Sequence, residues 1–282
     1  MARKRANLTD LLNQLTFRAL YDKFKLISIN AFEWDGLPDD ITERHIERQL
    51  FADGKAIFYK SPGKRFMCLK CQESGQVNVY GDPLGYIAHG INHQEQVNAK
   101  DCVIIENNKL RLATEPFIMF YVNKLAEAER TMDVNVKACK TPVVFACDDK
   151  DVLSFKRIFQ QVDGNVPAIY ADRGLNLDSI TAYQTGVKFM GNELQDYANA
   201  VENKLLTFLG LNNTPVEKKE RLITDEAQAN NQLIESFAQL QLEARQRAVE
   251  EINSMFGLSL SVRRRQTPVE NSVEGVENDV SV

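Results

Sequence analysis

Thr114–Lys137, TEPFIMFYVNKLAEAERTMDVNVK, is the stretch on which the fold turns. Phe117, Phe120, Tyr121, Lys124, Leu125 and Ala128 recur at spacings that place them on one helical stripe. Pro116 stands near the start, where its missing N–H costs least. The spacing predicts a long, partly exposed helix. A second helix runs from about Phe189 to Leu209, with Leu194, Tyr197, Val201, Leu205 and Phe208 on one face and Gly210 as its C-cap. Between the two, Thr141–Cys147, Val152–Gln161, Ala168–Ala171 and Ile180–Thr185 read as strand, helix, strand and strand. The pattern is a compact β-α-β-β unit inserted between two helices.

Upstream, Leu8, Leu11, Leu12, Leu15, Ala19 and Phe24 predict an amphipathic helix that packs by its leucine face, with Asn7 as N-cap. A turn at Asp35–Pro38 leads to a helix over Thr42–Phe51. From Lys55 to Leu112 the period shortens. Ala56–Tyr59, Phe66–Leu69, Gln76–Tyr80 and Val103–Glu106 read as strands of a small antiparallel sheet or barrel. Downstream, Asn231–Phe256 reads as a long helix stopped by Gly257, and Leu258–Val262 as a short strand. The acidic tail, 263–282, is expected to be disordered. The fold class is therefore α+β.

The chain has 282 residues, 44% of them apolar and 26% charged, which excludes a disordered or collagenous protein and suffices for one large core or two small ones. A net charge of -5 argues against a surface that is basic throughout, so any nucleic-acid contact must be local. Cys68, Cys71, Cys102, Cys139 and Cys147 are odd in number and do not read as a disulfide framework, which points to a reducing compartment. The basic start, Arg3-Lys4-Arg5, is followed by polar residues rather than an apolar signal core, and no run reaches the length of a membrane span.

Chemistry-bearing motifs are few. Cys68-x2-Cys71 followed by His89-x3-His93 is the sharpest, since two thiolates and two imidazoles can close a tetrahedral zinc site. The long gap between the pairs, and Gly90 inside the second, weigh toward plain β-domain cysteines. A zinc-stabilised nucleic-acid-binding adaptor is nevertheless the alternative function. Asp148, Asp149 and Asp151 could hold Mg²⁺ or serve a nuclease, but they precede a helix whose free N–H groups and dipole they suit better. No phosphate loop, G-x-S-x-G or H-E-x-x-H occurs, so the reading is non-catalytic and without cofactor. Two basic features remain: the tip, and Glu217-Lys218-Lys219-Glu220-Arg221. Thr214, Pro215 and Glu217 form a capping box by local rules, whereas the polar run that follows would equally suit a long loop over 212–231.

Several uncommon strings occur in a telling order: Ala2–Arg5, Phe32–Pro38 (FEWDGLP), Lys140–Val143, Gly164–Pro167, Thr207–Gly210, EKKERLITDE over 217–226, Glu251–Asn253 and Phe256–Leu258. In these the chain resembles the portal proteins (upper collar, head–tail connector) of small short-tailed phages of the picovirus group, whose linear double-stranded DNA genomes are protein-primed. The resemblance is weakest over 39–113 and absent from the tail. It implies a non-enzymatic ring of twelve subunits at one capsid vertex of the virion, assembled in the host cytoplasm and threaded by double-stranded DNA. Residues 1–113 would form a wing with an SH3-like β-domain, 114–140 and 188–211 stem helices, 141–187 a clip, 212–231 a channel loop, and 232–262 a wing and crown element.

The same resemblance implies that Lys218, Lys219 and Arg221 face the DNA in that loop. It also implies that Arg3, Lys4 and Arg5 dock the packaging ATPase, in some relatives through a packaging RNA, and that the major capsid protein and lower collar are partners. Relatives place further lysine rings where Gln184 and Glu193 stand here, so either those rings are dispensable or their role has moved to Lys188 or Lys204.

Overall fold

A computed structural model of the chain describes residues 8–63, 65–140, 143–146, 181–184, 187–211 and 224–265. They divide into two compact units, one from residues 1–126 and 199–282, the other from 127–198.

The first unit opens with helix α1 (Leu8–Ile29), followed by strand β1 (Phe32–Asp35) and helix α2 (Glu43–Asp53). The start of α2 is set by Thr42, whose N–H donates to His45 Nδ1 at 3.3 Å, one arm of a capping box. Its end is set by Gly54, at φ 75° in the left-handed region. A Cβ there would lie 2.1 Å from the Arg111 carbonyl oxygen, so both the backbone and the space demand glycine.

Strands β2 (Lys55–Lys60), β3 (Phe66–Glu73), β4 (Gly85–Gly90), β5 (His93–Asn98) and β6 (Cys102–Glu106) form one antiparallel sheet in the order β5-β4-β3-β2-β6. Alternation decides what each face buries. Ala56, Phe58, Cys68, Val103 and Ile105 pack with Ile46 and Leu50 of α2. Ile57, Tyr59, Cys71, Tyr86, Ala88, Val97 and Cys102 form a second cluster on the opposite face.

Helix α3 (Glu115–Lys140), helix α4 (Gly191–Phe208) and helix α5 (Thr224–Phe256) follow, and the division between the units falls inside α3 and α4. Within the first unit, Phe208 stacks on Phe117 at 4.6 Å between ring centres and meets Phe237 at 5.9 Å, linking all three helices. Ala248, Val249 and Ile252 bring α5 into the main core, and β9 (Ser261–Arg264) pairs antiparallel with β1, Trp34 opposite Val262.

In the second unit, β7 (Val143–Ala146) pairs antiparallel with β8 (Thr181–Gln184), the outer pair of strands expected in the inserted unit. Asn135 of α3 donates to Lys188 O and accepts from Met190 N, both at 2.9 Å. The inner helix and strand expected there, with Asp148, Asp149 and Asp151, lie outside the described residues.

Four expectations need correction. Gln76–Tyr80 is not a strand: Asn78 Oδ1 accepts from Tyr80 N at 2.8 Å and Asp82 N at 2.9 Å, curling the chain into a turn that leaves Val79 and Tyr80 exposed. The sheet instead gains the β4–β5 hairpin, turned at Asn92 with φ 56°. The packing expected along the α1 stripe fails at Leu15, which is 54% exposed, while Phe24 of the same stripe is fully buried. Helix α5 begins at Thr224 rather than near Asn231, because Thr, Asp and Glu suit a first turn and Ala and Gln propagate it. Finally, Arg263 and Arg264 are strand residues, not the head of a tail.

Candidate functional site

The basic cluster Lys218, Lys219 and Arg221 lies outside the described residues, as do Arg3, Lys4 and Arg5. What the structure describes is the frame from which residues 212–223 depart: the end of α4, the start of α5, and the strand that clamps the end of α4.

The end of α4 is a Schellman motif. Leu211 N donates to Leu206 O at 2.8 Å and Gly210 N to Thr207 O at 2.9 Å, with Gly210 at φ 69°. Glycine is needed twice over, because a Cβ would sit 2.8 Å from Ala238 Cα on α5 and 2.7 Å from the Arg264 guanidinium. Arg264 reaches across from β9 and donates through Nη2 to Leu209 O at 3.1 Å and to Gly210 O. A guanidinium on the final carbonyls of a helix satisfies orphan acceptors and meets the negative end of the dipole. Burial pulls the Arg264 pKa below the ordinary guanidinium value, opposed by Glu235. Leu205 is fully buried, and Val201 and Leu209 nearly so, which anchors the same end of α4 by its apolar face.

Sequence reading missed Arg264. Three consecutive arginines, Arg263–Arg265, beside a strand candidate were the available signal. Each takes a different partner: Arg263 bonds Glu33, Arg264 the end of α4, and Arg265 Glu43.

Of the residues considered for lower lysine rings, Glu193 lies exposed in the first turn of α4 and Gln184 ends β8. Lys188 and Lys204 are both exposed.

The zinc arrangement does not form. Cys68 and Cys71 share β3 three residues apart, so they point to opposite faces, Cys68 into the cluster with Phe58 and Cys71 into that with Tyr59. His89 meets Gln72 Oε1 at 3.1 Å, and His93 meets the Tyr59 hydroxyl at 2.9 Å. Burial pushes the Cys68 thiol up to about 12 and the Cys71 thiol up to about 11, which favours the protonated form over the thiolate a metal needs. Among the described residues no group of three or more His, Cys, Asp and Glu is placed to hold one ion. The adaptor reading loses its basis.

Residues 3–269 match the family described as Phage Connector (GP10). Two solved structures share the fold. A chain of the portal and tail of native bacteriophage P68 is 13% identical, with a TM-score of 0.52 over 95% of this chain and 94% of that one. A chain of the native gene transfer agent (GTA) virion is 10% identical, with a TM-score of 0.51 over 94% and 85%. With the family match spanning nearly the whole chain, the chain belongs to the phage connector family, the non-enzymatic head–tail portals that sit at the capsid vertex of the virion.

Proposed function

We propose that this connector works as a closed ring of twelve copies through which double-stranded viral DNA is packaged and later ejected. The observation that carries the ring is the apolar surface that a single chain leaves uncovered on its helices. Leu15 and Leu26 of α1, Phe120 of α3 and Leu233 of α5 are 54%, 66%, 55% and 50% exposed. Exposed apolar surface on regular elements marks a face that another molecule covers, and cyclic symmetry lets one pair of faces do so around the whole ring.

In this reading α3 and α4 are stem helices, 141–187 the clip at the narrow end, and 1–113 the wing with an SH3-like β-domain. Residues 212–223 form the channel loop, shortened by the early start of α5. The loop presents Lys218, Lys219 and Arg221 to the DNA. Symmetry turns each lysine into a ring of charge. Every phosphate neutralised by a cation releases counterions and adds affinity, so a bore basic throughout would hold its cargo. A net charge of -5 with a few cationic rings lets the duplex slide without sequence readout.

Arg3, Lys4 and Arg5 form a cationic arm suited to phosphate contact, and they dock the packaging ATPase, through an RNA where the phage encodes one. The remaining partners are the major capsid protein and the lower collar. The ordered strings of the sequence support placement in the picovirus group. Native mass measurement with electron microscopy tests the ring: twelve copies around a central hole are expected. A chain that stays monomeric or dimeric under all assembly conditions contradicts it, and another closed number replaces the twelve.

A further inference from the structure

Arg265 holds the chain at a definite point as it leaves β9. Its N–H donates to Ala31 O at 2.9 Å, its Nε to Asn30 O at 3.2 Å and its Nη2 to Glu43 Oε1 at 3.0 Å. Residues 266–282 therefore depart beside the first turn of α2. Along that same helix lies a groove of about 690 Å³, bounded by α2 and by strands β3 and β4. Ile41, Phe66 and Leu69 give it an apolar lining, and Arg48, Arg65 and Lys70 a cationic one, against the single carboxylate of Asp40. Lys70 is paired with Asp53. Arg48 and Arg65 are exposed and form no ion pair with any described residue.

The departing segment has the composition this groove takes. QTPVENSVEGVENDVSV, 266–282, carries Glu270, Glu274, Glu277 and Asp279 and no lysine or arginine. Its valines stand beside its acids, as Val269-Glu270, Val273-Glu274 and Val276-Glu277, so each doublet offers one apolar and one anionic side chain. The family match ends at residue 269, and all four acids lie beyond it.

We propose that the acidic C-terminal segment folds back onto the groove of its own chain, its carboxylates on Arg48 and Arg65 and its valines on the half-buried Phe66 and Leu69. Reach is no obstacle. Glu43 and Arg48 are about 7 Å apart along the axis of α2, and residues 266–282 extend to about 55 Å. A tether this short gives an effective concentration on the order of millimolar, which favours the chain's own groove over a neighbour's. The proposal does not depend on the ring.

Photo-crosslinking of the full chain tests it, with benzoyl-phenylalanine in place of Val276 and a mixture of isotope-labelled and unlabelled chains. Adducts are expected on residues 41–49 and 66–70 of the same chain. They should fall by at least about tenfold in R48E/R65E, and as salt is raised from about 0.05 to about 1 M. Because Arg48 and Arg65 are exposed and form no ion pair with the described residues, that variant should keep the circular dichroism of the parent and a thermal midpoint close to it. Converting Glu270, Glu274, Glu277 and Asp279 to lysine in the R48E/R65E background should restore the adducts. Adducts undiminished in R48E/R65E, adducts found only between differently labelled chains, or adducts confined to other surfaces each overturn the proposal.

Discussion

The Arg245 guanidinium meets the Glu47 carboxylate in two parallel bonds, Nε to Oε1 at 2.8 Å and Nη2 to Oε2 at 2.7 Å, across 198 positions of sequence. Both side chains are 2% exposed. The remaining valences are answered locally: Trp34 Nε1 donates to Glu47 Oε1 at 2.9 Å, and Arg245 donates to Asn107 Oδ1 at 3.1 Å and Gln241 O at 3.0 Å. The guanidinium also lies 3.9 Å over the Phe32 ring. The pair thus joins α5 to α2, and through Trp34 and Phe32 to β1.

Removing one partner leaves the other as an uncompensated buried ion, which costs more than the intact pair contributes. R245M should lower the unfolding free energy by about 3–5 kcal/mol, and E47L/R245M should be less destabilised than the two single changes summed. Urea unfolding of the three variants checks both statements. A loss below about 1 kcal/mol in R245M would show that the guanidinium is not buried as described.

Gly54 and Gly75 share the left-handed conformation, with φ 75° and 85°, yet only Gly54 is enclosed. An added methyl at Gly54 meets Arg111 O at 2.1 Å and Ala113 N at 2.7 Å, whereas at Gly75 it meets nothing within 4 Å. Gly75→Ala should therefore cost only the conformational penalty of about 1–2 kcal/mol. Gly54→Ala should cost clearly more, because backbone has to move in the segment that leads into α3. Thermal unfolding of the two variants side by side isolates the clash, and equal losses would refute it.

These two relationships show what could be read before folding and what could not. The stripe in Thr114–Lys137 and the face over Val201 and Leu205 are repeats of local spacing, so α3 and α4 were legible. The strings Ala56–Tyr59 and Val103–Glu106 were legible as strands because both faces of that part of the sheet are buried. β5 reads HQEQVN and buries only Val97, so nothing in its composition announces a strand. Val77, Val79 and Tyr80 looked like one until a single amide, Asn78, captured the backbone.

Nor does periodicity reveal partners distant in the chain. Trp34 faces Val262, and Arg264 caps a helix whose end it meets only after folding. The basic motifs were visible as charge alone, because a run of cations in sequence records sign and not position in a fold.

The buried thiols give the fold an alkaline limit. Burial pushes Cys68 and Cys102 up to about 12 and Cys71 up to about 11, from an ordinary value of 9.0. As pH rises the unfolded chain releases these protons first, so it binds fewer than the native state and stability falls. The contribution is complete below about pH 9 and is lost as pH climbs through about 11 to 12. Burial also raises the Tyr59 and Tyr86 phenols, which adds to the decline with the same sign. Urea midpoints should hold below about pH 9 and drop steadily from there to about pH 10.5, and Cys102→Ala should flatten the slope while lowering the plateau. A midpoint independent of pH over that span is incompatible with protonated buried thiols.

Arg264 sets the root of residues 212–223, and the charges those residues carry supply the sharpest functional prediction. If Lys218 and Lys219 line the bore, their role is to oppose backward slip of a filled capsid's DNA rather than to build the ring. In the proposed ring they face the DNA rather than a neighbouring subunit. K218A/K219A should therefore assemble into rings indistinguishable from the parent by native mass and should begin packaging normally, yet retain less full-length DNA once the motor stops. The loss should deepen at higher salt, where the remaining phosphate contacts weaken. A charge-preserving K218R/K219R variant should restore retention, because a ring of point charges rather than a shaped contact is what is required. Retention of full-length DNA in K218A/K219A equal to that of the parent would remove these lysines from the DNA path.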